Sequence, residues 1–310
     1  MPVSTQVTPL GVSGAIPTRD RHLSGLALRR EGRTILFDCG EGTQLQLLRA
    51  GLLGSRLEAV FITHLHGDHV YGLPGLLSTL ALMERETPLA VIGPEGVRQT
   101  VDGMPGLSIS DLPYEVNLTE LSPDTQHAVV YETEPFTVEA RPLAHRVSCF
   151  GYRYTEATRP GRFDAEAASA AGVSPGPDFE TLARGGSVTI GGREVTPEGI
   201  VGPERPGTVV AYCLDTAPCP GGRALASGAD LLIHDATFGN GDEVRAAETG
   251  HSTARQAAAV ARDEGARGLL LTHFSARYRD LNVLLRQARH VFEQTEIAEE
   301  LQPVEVTPQS

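Results

Sequence analysis

The residues most able to do chemistry stand together in Thr63-His64-Leu65-His66-Gly67-Asp68-His69, directly after the apolar run Leu57–Ile62. On an extended or tightly turned backbone, residues two apart project to the same side. His64 and His66 are therefore placed to grip one metal ion, while Asp68 and His69 turn toward a second. Neutral imidazole nitrogen and carboxylate oxygen suit zinc, at roughly 2.0–2.2 Å. A lone histidine on an apolar face is ordinarily structural, but three histidines and an aspartate packed this closely are not. A second candidate is His251 in Gly250-His251-Ser252-Thr253. Histidine can supply a proton near neutral pH, and a helix beginning at Ser252, a candidate cap, would favour an anionic phosphate nearby. The competing reading is a polar residue that only satisfies backbone groups at a helix entrance. His22, His127 and His290 match no motif and read as surface or structural, while His234 lies in an apolar run and reads as a satisfied core histidine.

The elements that must position these residues follow from periodicity and punctuation. Strands are expected over Gly25–Arg29 and Thr34–Asp38 around an Arg-Glu-Gly-Arg turn, then a helix over 42–50 ending at Gly51. Leu57–Thr63 reads as a strand, Gly72–Met83 as a buried helix and Leu89–Ile92 as a short strand. Residues 127–154 hold several strands, with His145 in a loop between two of them. From about 156 to 206 glycine, proline and small polar residues dominate, which argues against a compact core and for an inserted, extended segment. Beyond it, strand and helix signals alternate through Val209–Leu214, Gly222–Ser227, Leu231–Ile233, Ser252–Glu264, Gly268–Thr272 and Asp280–Val291. The pattern implies two sheets packed face to face and covered by helices, an α/β layered architecture.

The bulk properties bound the function. The chain has 310 residues, 40% of them hydrophobic, enough for one large domain or a domain with an insertion. No apolar run is long enough to span a membrane and no secretory signal is visible, so a soluble cytoplasmic protein is expected. Cys39, Cys149, Cys213 and Cys219 form no Cys-x-x-Cys pair and read as reduced, buried thiols. A net charge of −13 argues against sequence-independent adhesion to nucleic acid, though not against a nuclease whose metals and a few arginines meet phosphates. All 26 basic residues are arginine. The absence of lysine excludes Schiff-base chemistry, a Walker-type phosphate loop and a Ser-x-x-Lys nucleophile.

His-x-His-x-Asp-His resembles the hallmark of the metallo-β-lactamase superfamily, and further segments match it. Asp38, in Leu36-Phe37-Asp38-Cys39-Gly40, resembles the upstream aspartate that orients a ligand histidine. His145, in Ala144-His145-Arg146, resembles the third ligand of the first metal. Asp215, in Cys213-Leu214-Asp215-Thr216, resembles the bridging carboxylate, and His273 the last ligand of the second metal. The resemblance implies a four-layer αββα sandwich with two zinc ions, manganese or iron being alternatives. His64, His66, His145 and Asp215 would hold one ion, and Asp68, His69, His273 and Asp215 the other. Two ions ~3.5–4 Å apart would share a bridging water whose pKa falls toward ~7, giving a hydroxide nucleophile.

Three segments resemble one branch, ribonuclease Z, which trims the 3′ trailer from precursor tRNA: Gly250-His251-Ser252-Thr253, Thr272-His273-Phe274-Ser275-Ala276-Arg277-Tyr278, and the loop Ala15-Ile16-Pro17-Thr18-Arg19-Asp20-Arg21. The glycine- and proline-rich stretch Gly172-Val173-Ser174-Pro175-Gly176-Pro177 resembles that family's tRNA-gripping arm. On this resemblance residues 1–155 and 207–310 form the catalytic domain and 156–206 the flexible arm, often working across a homodimer. Attack of the hydroxide on the phosphodiester would leave a tRNA 3′-hydroxyl and a 5′-phosphate trailer. Asp68 would orient or deprotonate the water and His251 would act as general acid. Arg19, Arg21, Gly172, Pro175, Gly176, Pro177 and Arg277 would meet the tRNA. The arm departs from a simple phosphate clamp, since Arg159, Arg162, Arg184 and Arg193 are offset by Asp164, Glu166, Asp178, Glu180 and Glu194. Two other readings stand beside it: another dinuclear-metal hydrolase, acting on small phosphodiesters or thioesters, and a catalytically silent RNA-binding or assembly protein on the same fold.

Overall fold

A computed structural model describes residues 5–54, 56–104 and 106–309. Two seven-stranded sheets pack face to face. The first runs, in spatial order, Val304–Val306, Thr5–Gly11, Gly25–Arg30, Arg33–Phe37, Arg56–Phe61, Leu89–Pro94 and Val116–Leu121. The second runs Thr295–Ile297, Leu269–Thr272, Leu231–Asp235, Val209–Cys213, Phe150–Glu156, Phe136–Pro142 and Ala128–Thr133. Each sheet has an antiparallel half and a parallel half. The expected layered α/β architecture is what the chain adopts.

The inner faces meet in an aromatic seam: Phe37 stacks on Phe61 and on Tyr212, with centroids 5.3 and 5.2 Å apart, and Phe61 lies 5.3 Å from Tyr152. The helix Leu73–Leu82 buries Leu73, Leu76, Leu77 and Leu80 on the outer face of the first sheet. The helix Ala254–Asp263 covers the second with Ala254, Ala257, Ala258 and Ala261, all 0% exposed. Small side chains on one helical stripe let the backbone come close to the sheet. In the turn between Gly25–Arg30 and Arg33–Phe37, Glu31 and Gly32 have φ of 50° and 78°, the paired left-handed geometry that matches a hairpin's twist.

Three expectations need correction. The helix after His251 is capped by Thr253, not Ser252: Thr253 Oγ1 accepts from Gln256 N and the Gln256 side chain answers to Thr253 N, a capping box. The Ser252 hydroxyl instead donates to Thr216 O at 2.6 Å. Residues 156–206 do not lack a core. They form the helices Ala165–Ala170 and Pro177–Ala183 and the hairpin Val188–Ile190/Arg193–Val195, closed over buried Ala168, Val173, Leu182, Val188, Val195 and Ile200. Cys219 is only half-buried, though all four cysteines are free. Among the described residues no helix is long and apolar enough to cross a membrane.

Candidate dinuclear metal centre

Most of the site is built at the carboxyl ends of parallel strands, where open α/β sheets habitually place their ligands. Asp38 follows Arg33–Phe37, His64 follows Arg56–Phe61, Asp215 follows Val209–Cys213, and His273 follows Leu269–Thr272. His145 comes from the loop between Phe136–Pro142 and Phe150–Glu156. Asp38, Asp215 and His273 adopt left-handed backbone, φ 57°, 49° and 62°. Each such residue costs of order 1–3 kcal/mol, and the strain re-aims a side chain at the point where a strand ends.

Two groups of donor atoms result, each with members within 4.8 Å of one another: His64, His66, His145 and Asp215, and Asp68, His69 and His273; a third, Asp215, Asp235, His251 and His273, overlaps them. His69 Nε2 and His273 Nε2 lie 3.3 and 2.8 Å from Asp215 Oδ1, so that carboxylate reaches the second group too. The outward ring nitrogens are held by acceptors. His145 Nδ1 is 3.0 Å from Gly250 O, which can only accept, so the proton sits on Nδ1 and Nε2 is bare. His69 Nδ1 is 2.8 Å from Asp38 Oδ2, and His273 Nδ1 is 2.9 Å from Thr237 Oγ1. Asp38 is itself fixed by Thr63 N at 2.8 Å and Tyr212 Oη at 3.0 Å. Such outer contacts set tautomer and ring direction in metal sites.

Electrostatics divides the two groups. Burial pushes His64 well below the ordinary histidine range and also lowers His66 and His145, leaving three neutral imidazoles facing one another. In the second group burial works against charge but is outweighed: Asp215 and Asp38 hold His69 well above its usual value, and Asp215 and Asp68 raise His273 to about 10. Burial would raise Asp215, yet His273, His69 and His64 hold it well below the carboxylate range. Asp215 Oδ1 is buried and makes no hydrogen bond despite these neighbours. Histidine nitrogens converging on a buried carboxylate oxygen that makes no hydrogen bond are a donor set for divalent metal ions, and these clusters can hold them.

His251 stands beside this centre. Its ring stacks on His273 with centroids 5.4 Å apart and meets His145 edge-on at 5.2 Å. Nδ1 lies 2.7 Å from Oδ2 of Asp235, a residue the motif reading passed over. Burial would raise the Asp235 carboxyl, but His251 holds it low. The remaining lone pairs of Asp235 accept from Thr216 N at 3.1 Å, Thr237 N at 2.8 Å and Thr237 Oγ1 at 2.7 Å. The available signal was an acid ending a buried strand, Leu231–Asp235. His234 is a core histidine, 1% exposed, with Nδ1 donating to Asp235 O. Asp68 Oδ2 accepts from Ala15 N at 2.8 Å, which brings the 15–21 loop to the centre. Arg19 is exposed, whereas Arg21 is half-buried and donates to Tyr278 O at 3.1 Å. Arg277 pairs with Asp242 at 3.2 Å and lies 5.1 Å over the Phe238 ring. Gly172, Pro175, Gly176 and Pro177 are exposed in the inserted segment and do not approach the metal-ligand cluster through any recorded contact.

Fold and site define a metallo-β-lactamase-fold hydrolase. Residues 178–274 match the family described as Beta-lactamase superfamily domain, and residues 5–101 that described as Anti-Pycsar protein Apyc1. The chain is 53% identical to a ribonuclease Z of Salinibacter ruber over 97% of its own length and 94% of the relative's. It is 43% identical to a ribonuclease Z of Methanothermobacter thermautotrophicus, covering 97% and 96%. The crystal structure of the short form of human tRNase Z superposes with a TM-score of 0.70 at 30% identity, covering 97% of this chain and 99% of that one. The chain belongs to the ribonuclease Z family.

Proposed function

We propose that this chain is an endoribonuclease that removes the 3′ trailer from precursor tRNA, leaving a tRNA 3′-hydroxyl and a 5′-phosphate trailer. The observation that carries the reading is the pair of donor clusters meeting at Asp215 with His251 alongside, in a chain related to ribonuclease Z over almost its whole length. His64, His66, His145 and Asp215 would hold one ion, and Asp68, His69, His273 and Asp215 the other. When bound, two divalent ions supply a water nucleophile at neutral pH and neutralise charge developing on the phosphate. Nitrogen and carboxylate donors favour zinc, with manganese or iron accepted by the same atoms.

The chain's own groups supply the rest. Asp68, at the edge of the second cluster, orients or accepts the proton of the attacking water. Asp235 fixes the His251 ring through Nδ1, leaving Nε2 free to donate a proton to the departing 3′ oxygen. Residues 156–206 grip the tRNA body, and their small packed core supports a defined shape rather than a loose tether. A homodimer is part of the same reading. The four free cysteines fit a cytoplasmic setting. The decisive experiment is cleavage of a labelled precursor tRNA with both product ends mapped, alongside a small phosphodiester. A single cut at the trailer junction is expected. Turnover of the small ester alone would make the chain a small-substrate phosphodiesterase instead.

A further inference from the structure

A hollow of about 410 Å³ on the outer helices of the second sheet is lined by Asn240, Arg255, Val283, Arg286, Gln287 and His290. No carboxylate lines it, in a chain of net charge −13. Arg255 lies in the first turn of Ala254–Asp263 and Arg286 in the helix Asn282–Arg289. Both are exposed, and among the described residues neither guanidinium forms an ion pair. Asp280 feels Arg286 from a distance, but its Oδ1 already accepts from Asn282 N and Nδ2, at 2.9 Å each. An acid-free hollow with two unpaired arginines keeps its positive potential and attracts anions.

The hollow lies one loop away from the centre. Asn240 N donates to Gln287 Oε1 at 2.8 Å on its wall. Two residues earlier, Phe238 has its ring 6.0 Å from that of His251, with Arg277 over it at 5.1 Å. Phe238 and the loop after it thus connect the cleft to the wall of the hollow. The inserted segment leaves the sheet at the amino end of Val209–Cys213, opposite the end that carries Asp215. The hollow instead adjoins the loops that follow Asp235 and His251, on helices packed against Leu231–Asp235, Leu269–Thr272 and Thr295–Ile297.

We infer that this hollow binds backbone phosphates of the single-stranded RNA that continues past the scissile bond, with Arg255 and Arg286 as its phosphate-binding residues. The inference rests on the proposed trailer cleavage. It makes the trailer part of the recognised substrate rather than a passive leaving strand. Backbone contacts of this kind are indifferent to sequence, which suits a strand of variable composition.

The test compares metal-loaded wild type with Arg255→Gln/Arg286→Gln on two precursors sharing one tRNA body. One carries a single-nucleotide trailer and the other a trailer of about ten nucleotides, long enough to fill a single-strand site. For wild type, KM should be roughly tenfold lower on the long trailer, the scale of charged hydrogen bonds to phosphate. The double variant should lose that advantage with kcat, metal content and short-trailer KM unchanged. Its log(kcat/KM) on the long trailer should fall less steeply with log salt, by about 1.4 for two single-strand phosphates. A wild-type KM indifferent to trailer length overturns the inference and leaves the cleavage reading standing. An equal rise in KM on both precursors also overturns it, placing the hollow against the tRNA body. Failure of wild type to cut either precursor overturns the cleavage reading, and this inference with it.

Discussion

Replacing His251 by alanine tests the chemistry most directly, because a general acid and a metal ligand at this position give different outcomes. Its Nδ1 is engaged 2.7 Å from Asp235 Oδ2 and its ring lies against His273 and His145. It shares a possible donor group with Asp215, Asp235 and His273 but lies outside the group formed by His64, His66, His145 and Asp215. Loss of a positioned general acid costs about 10²–10⁴ in rate, or roughly 2.7–5.4 kcal/mol of barrier. The expected outcome for His251→Ala is single-turnover cleavage of precursor tRNA slowed by that factor, with both metals and tRNA affinity retained. Asp235→Asn should be milder. It removes one charge-assisted hydrogen bond, worth about 1.5–3 kcal/mol or roughly 10–150-fold. If Asp235 acts only through His251, the double variant should be no slower than His251→Ala alone. A substrate with a nitrophenolate leaving group needs little protonation, so the His251→Ala defect should largely vanish on it. Equal losses on both substrates with metals intact would refute general-acid catalysis and point to phosphate stabilisation. Loss of metal would make His251 a support of the centre.

Elemental analysis of gently purified protein should approach two ions per chain, and chelation should abolish cleavage; a fully active metal-free preparation would remove the basis of the mechanism. Deleting residues 157–206 and joining the ends with a short linker should abolish precursor tRNA binding while hydrolysis of an activated phosphodiester persists, since the segment's core is separate from that of the sheets. Unchanged tRNA affinity in that folded variant would refute the arm's role. Gly250→Ala should weaken metal binding about 10–100-fold. Its φ is 72°, and a Cβ there would stand 2.9 Å from His145 Nδ1, displacing the ring whose Nε2 faces the centre; full metal content by titration would contradict the importance of that contact.

Local features of the site were legible because they are local. The spacing His64, His66, Asp68, His69 falls within one strand end and one turn, and the strands and helices around it carry clear periods. Distant members were found only where a motif flagged them, as at His145, Asp215 and His273. Asp235 escaped because nothing local distinguishes it: in Leu231-Leu232-Ile233-His234-Asp235 the eye goes to the histidine. Its position depends on strand pairing, with Cys213 beside His234 and Asp235 beside Thr272, which brings it level with the turn after Val209–Cys213. The strand Val304–Val306 escaped for the same reason, since its partner Thr5–Gly11 lies at the far end of the chain. The inserted segment failed differently. Its core needs only six buried side chains spread among glycines and prolines, too sparse for any period to register.

The left-handed turns at Asp38, Asp215 and His273 were equally invisible, since none of the three is glycine. They also explain why the site takes this form. A parallel strand ending in ordinary extended backbone carries its next side chain along the pleat, to one face or the other of the sheet. Reversing φ at the first or second residue past the strand re-aims that side chain over the strand end. Two of these residues come from the second sheet and one from the first, and Tyr212 Oη on Asp38 Oδ2 joins the sheets directly beneath the centre. The aromatic seam holds the two strand ends in register, so the strain at each turn is sustained by the core rather than relaxed by local movement. The donor set is therefore a property of how the two sheets dock, and substitutions in the seam that shift one sheet against the other would loosen the metal centre without touching a ligand.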